Sequence, residues 1–77
     1  MDAIEAKTLM ESGKENATTE LLSKIDAAIS SRASKGWNRA DLTDIVLEYN
    51  FPIINDAYNR LRANGFNVNV MTHTAVW

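Results

Sequence analysis

Residues 52–70, PIINDAYNRLRANGFNVNV, leave the chain few ways to fold. Pro52 suits the first turn of a helix, where its missing N–H costs nothing. Ile54, Ala57, Tyr58 and Leu61 follow at i, i+3, i+4 and i+7 and make one apolar face. Asn64-Gly65 supplies a left-handed C-cap. Phe66, Val68 and Val70 then alternate with Asn67 and Asn69, the pattern of a strand with one buried face. The stretch predicts a helix over 52–64, a stop, and a strand over 66–70. Beyond a polar turn at Thr72-His73-Thr74, the segment Ala75-Val76-Trp77 is expected to pair back and complete a C-terminal β-hairpin.

Upstream, Leu21, Leu22, Ile25, Ala28 and Ile29 form a second apolar stripe. A helix is expected from residue 21 to about Lys35, with Thr18 or Thr19 as its cap and Gly36 closing it. Residues 1–10 hold Ile4, Leu9 and Met10 and suit a first helical piece. Residues 11–20, ESGKENATTE, are polar, and Gly13 costs a helix about 1 kcal/mol relative to Ala. They form either the exposed middle of one long helix or a break between two. Residues 1–20 therefore read as a polar arm or helix and residues 21–77 as one small globular domain. An arm with so little apolar face is either a solvated end or a segment ordered against another subunit.

Residues 37–49 carry two signals. Asn38 is a good N-cap, Leu42, Ile45, Val46 and Tyr49 have helical spacing, and Asp41 and Asp44 fall where the helix dipole favours acids. The helix over Asp41–Tyr49 is the preferred reading, although the β-branched run DIVLEY also suits a strand. Asn50-Phe51-Pro52 then interrupts the chain. The expected fold class is a small, mostly helical α+β domain: an N-terminal helix or helices, two short helices, and a C-terminal β-hairpin. Its core should draw on Leu22, Ile25, Ile29, Leu42, Ile45, Val46, Ile54, Tyr58, Leu61, Phe66 and Val68.

At 77 residues the chain has room for a modest core, and partners or oligomerisation often stabilise chains of that size. It has no cysteine, which excludes disulfides, thiolate nucleophiles and thiolate metal sites. The net charge of −2 argues against coating nucleic acid by bulk electrostatics. Residues 1–30 hold six acids against three lysines, whereas residues 31–77 hold five cations against four acids. No apolar run reaches membrane-spanning length, and residues 1–20 lack a leader pattern. A soluble protein made in the cytoplasm is expected.

No catalytic constellation stands out. His73 is the single histidine and has no second histidine or cysteine to share a metal, so an exposed turn residue is expected. Asp41, Asp44 and Glu48 would share one solvated helix face. No cofactor is implied, and the chain reads as a binding protein rather than an enzyme. The candidate partner-binding residues are Trp37, Trp77, Arg39, Arg60 and Arg62. Tryptophan is a favoured interface anchor, and the arginines lie on or beside the two C-terminal helices. A helix, a short break, a helix and a hairpin also resemble a winged helix-turn-helix. Asn55, Asn59, Arg60 and Arg62 would then offer donors to bases and phosphates. Asp56 would lie near phosphate and oppose that use.

Ile29 and Ala33 leading to Gly36, then Leu61, Gly65, Phe66, Val68 and a closing Trp77, resemble a pattern found in small bacteriophage accessory proteins. Those chains pass through a segment of Ile, Ala and Gly, here spaced I-x-x-x-A-x-x-G, then L-x-x-x-G-[YF]-x-V, and end on tryptophan. The resemblance covers about the last fifty residues; the helix expected at Asp41–Tyr49 and the short final strand depart from it. It implies a phage structural or accessory protein of head, neck or tail. Such a protein is present in several copies, binds other virion subunits, and passes from the host cytoplasm into the virion. A DNA-binding regulator and an inhibitor of a host protein are the alternatives.

Overall fold

The computed structural model describes residues 2–77. Helix α1 runs Ala3–Ala33, β1 Arg39–Asp41, α2 Thr43–Val46, α3 Phe51–Ala63, β2 Asn67–Asn69 and β3 Thr74–Val76. The fold is a small α+β domain with a three-stranded antiparallel sheet in the order β1-β3-β2. Among the described residues, no helix is long and apolar enough to cross a membrane.

The N-terminal ambiguity resolves into one helix of 31 residues, about 46 Å long at 1.5 Å per residue. Its cap is Asp2, whose carboxylate accepts the Glu5 amide at 2.8 Å. Gly13 stays inside the helix. Thr18 and Thr19, expected as caps, instead turn their hydroxyls onto the carbonyls of Lys14 (2.8 Å) and Glu15 (3.0 Å) one turn back. The bonding lets Thr18 be buried, so the apolar face starts a turn earlier than the leucines suggested.

Both C-cap glycines behave as expected, and by the same motif. The Trp37 amide reaches the Arg32 carbonyl and the Gly36 amide reaches Ala33; the Phe66 amide reaches Leu61 and the Gly65 amide reaches Arg62. These are Schellman closures, and they need the left-handed backbone that Gly36 (φ +85°) and Gly65 (φ +95°) supply. The regular part of α1 ends at Ala33, two residues short of the expected limit.

The expected helix over Asp41–Tyr49 is the main correction. Only Thr43–Val46 is helical, Asn38 caps nothing, and Arg39–Asp41 is the third strand of the sheet. The backbone explains why. Strand β3 pairs with β2 on one side and would present an open edge on the other. Residues 38–42 cover it: Ala40 pairs with Ala75, the Trp77 amide reaches the Asn38 carbonyl, and the Leu42 amide reaches the His73 carbonyl at 2.7 Å. Asp41 then bonds the Thr43 amide (2.9 Å) and hydroxyl (2.7 Å) and starts α2 from the end of a strand. Those two bonds, the hydroxyl's first, hold its carboxyl below the usual range. Because Asp41 lies in β1, it does not share a helix face with Asp44 and Glu48.

The hairpin forms close to the expected positions, with β2 one residue shorter at each end and β3 one residue earlier. Ala40, Ala75 and Val68 align across the sheet on its inner face. The core joins them to Leu21, Ile25 and Ile29 of α1, Leu42 and Val46 around α2, and Ile54, Ala57, Tyr58 and Leu61 of α3. Leu22, Ile45, Phe66 and Val68, expected inside, pack only partly buried against this cluster.

His73 also departs from expectation. It is half-buried rather than exposed, adopts φ +52°, and places Nδ1 2.8 Å from the Tyr58 hydroxyl. Histidine is among the residues that tolerate the left-handed region. Tyr58 is fully buried, and burial pushes its hydroxyl up to about 12 from 10.0. The neutral form is thus favoured in the fold. Stability from this group is complete below pH 10 and is lost as pH rises toward 12.

Two outcomes follow for chemical denaturation. Leu21→Ala, at a fully buried position, costs about 2–5 kcal/mol, whereas Leu47→Ala, 74% exposed, stays within about 0.5 kcal/mol. In titrations above pH 10, Tyr58→Phe loses stability less steeply than the parent chain.

Candidate binding surfaces

The expected partner-binding residues fall on three surfaces rather than one. Arg39 and Arg62 line the same shallow groove, which runs over the outer face of the sheet with Phe66, Asn67, Thr74 and Val76. The strand register produces this, since Arg39, Val76 and Asn67 align across β1, β3 and β2. Arg62 is fixed in place: its guanidinium donates to Asn59 Oδ1 (3.1 Å) and to the Val68 carbonyl (3.0 Å), blunting the free edge of β2. Asn55, Asn59 and Arg62 recur at i, i+4 and i+7, so the side of α3 facing away from α1 bears amides and one cation.

Arg60 is not part of this set. It lies on the other side of α3 and holds Glu15 of α1 through two bonds of 3.0 and 3.2 Å. Asp56, expected to repel phosphate, points the same way and pairs with Lys14 at 3.3 Å. These two pairs tie α3 to the middle of α1. They are exposed, so each contributes at most about 1 kcal/mol. A third tie runs through Lys24, 3.2 Å from Glu20 and 3.6 Å from Glu48, with its ammonium 5.3 Å from the centre of the Tyr49 ring.

The tryptophans lie where α1 ends. Trp77 meets the edge of Phe66, with centroids 6.2 Å apart, and is 37% exposed. Trp37 is 51% exposed, with the Arg32 guanidinium 5.5 Å above its ring. Neither closes the core.

The sequence reading missed a fourth surface. Ile4, Leu9, Met10, Leu47 and Phe51 are large, apolar and exposed. Met10 and Gly13 of α1 and Asn50, Pro52 and Ile53 at the start of α3 enclose a cleft of about 270 Å³, with Lys14 at its rim. An ideal Cβ at Gly13 meets nothing within 4 Å. Nothing in the periodicity of residues 1–20 announces this site, because it depends on how α3 crosses α1.

Among the described residues, no group of three or more metal-ligating side chains comes together. Comparison with protein families, curated proteins and solved structures finds no match to this chain.

Proposed function

We propose that this chain is a non-enzymatic accessory subunit of a bacteriophage particle, present in several copies and bound to other virion subunits. The observation that carries the reading is the arm. The first third of α1, with Ile4, Leu9 and Met10, gives its apolar side chains to no core of its own. Large apolar side chains left exposed on a segment that packs into no core support a partner-facing role, and the phage-like pattern ending in Trp77 supplies the context. The body is an elongated 50 × 21 × 19 Å. Mass spectrometry of purified particles of the encoding phage tests the reading. The full chain is expected in the particle in several copies, and a chain lacking residues 1–9 is expected to be lost from it. Absence of the full chain from particles overturns the proposal.

A DNA-binding role is the second reading, and one observation favours it. The order α1-β1-α2-α3-β2-β3, with β1 closing the sheet, resembles a winged helix more fully than the sequence suggested. The free side of α3 then presents Asn55, Asn59 and Arg62, residues that read base edges and phosphates. Asp56 no longer opposes this, since Lys14 pairs with it. Fluorescence anisotropy with a mixed-sequence duplex at low salt tests the reading. It requires salt-sensitive binding that Arg39→Ala with Arg62→Ala weakens and Arg60→Ala leaves unchanged. Binding that ignores Arg39 and Arg62 removes the second reading.

A further inference from the structure

We propose that copies of this chain associate head to tail, with Trp37 of one copy seated in the Met10–Gly13–Ile53 cleft of the next. The proposal rests on the assembly reading above and names the surfaces that meet. Three observations support it.

The first is fit. At about 270 Å³ the cleft falls just below the range of small-molecule sites. Its apolar walls and the bare Cα of Gly13 suit a single large side chain. Trp37 is a large aromatic side chain, half exposed, with the Arg32 guanidinium 5.5 Å from the centre of its ring. It stands on a closed Schellman turn, so little freedom is lost when it docks.

The second is position. Gly13 and Ala33 are 20 residues apart on one helix, a separation of about 30 Å. A chain therefore does not fill its own cleft with its own Trp37. Donor and acceptor are different surfaces set apart along the rod, so the docking of one Trp37 is a heterologous contact: one copy binds the next and leaves one cleft and one tryptophan free. Such contacts repeat into a ring or filament.

The third is charge. Residues 1–20 hold five carboxylates against two lysines, and residues 31–40 hold Arg32, Lys35 and Arg39 with no carboxylate. Lys14 at the cleft rim is already paired with Asp56, and Glu15 with Arg60. That leaves Asp2, Glu5 and Glu11 against Lys7 along the arm, a net negative charge to face the basic end of the incoming copy.

Sedimentation velocity of the full chain at rising concentration and low salt tests the proposal. The wild type is expected to grow beyond a dimer and to fall back to monomer as salt rises. Gly13→Leu fills the cleft and replaces the weakest helix former of the arm with a stronger one. Its loss of association would therefore not stem from unfolding, and circular dichroism would show full helicity. Trp37→Ala is expected to be monomeric as well. An equal mixture of the two variants should form one heterodimer and stop, because the Trp37→Ala chain keeps its cleft and the Gly13→Leu chain keeps its tryptophan. A wild-type monomer at all concentrations, a variant that associates like the wild type, or a mixture that stays monomeric each overturns the proposal. None of these results bears on incorporation into particles, which the mass-spectrometric experiment reads separately.

Discussion

The structure depends on α3 crossing the middle of α1. Leu21 and Ile25 on one helix and Ala57, Tyr58 and Leu61 on the other are buried almost completely. The α1 helix is about 46 Å long, while the body it supports is 21 × 19 Å across. One helix that much longer than its domain must overhang it. The crossing lets residues 17–29 serve the core and leaves residues 3–9 without partners. It also forms the cleft, where the start of α3 meets Met10 and Gly13.

The sheet depends on the same crossing. Tyr58 reaches from α3 to His73 in the turn between β2 and β3, and the His73 carbonyl holds Leu42 after β1. A buried hydroxyl left without a partner would cost about 1–3 kcal/mol, and His73 meets this need. The left-handed backbone at His73 is part of the same arrangement, since it turns the chain sharply enough for β3 to return along β2.

Local chemistry made α3, its Gly65 closure and the hairpin legible, because caps, helical spacing and alternation agreed in one stretch. Long-range partners decided the rest. No local signal in Arg39–Asp41 marks a strand; it is one because β3 has an open edge there, and a helical pattern beginning at Asp41 lost to that demand. Thr18 looked like a cap and became a buried interior residue because its hydroxyl found the Lys14 carbonyl. The arginines read as one set, yet Arg60 serves the α1 contact while Arg39 and Arg62 share the sheet groove. The cleft at Met10 and Gly13 was not legible, since it is built from residues about forty apart in sequence.

The account turns on α1 being a single helix whose first third is ordered without packing of its own. Residue-resolved amide hydrogen exchange of the dilute chain tests this most directly. The account predicts slow exchange through residues 17–29, close to that of the core. Through residues 3–9 it predicts fast exchange, graded outward from the Lys14 and Glu15 ties. Protection of residues 3–9 equal to that of residues 21–29 would contradict it, because it would mean that the arm is packed within the monomer and has no face left to offer a partner.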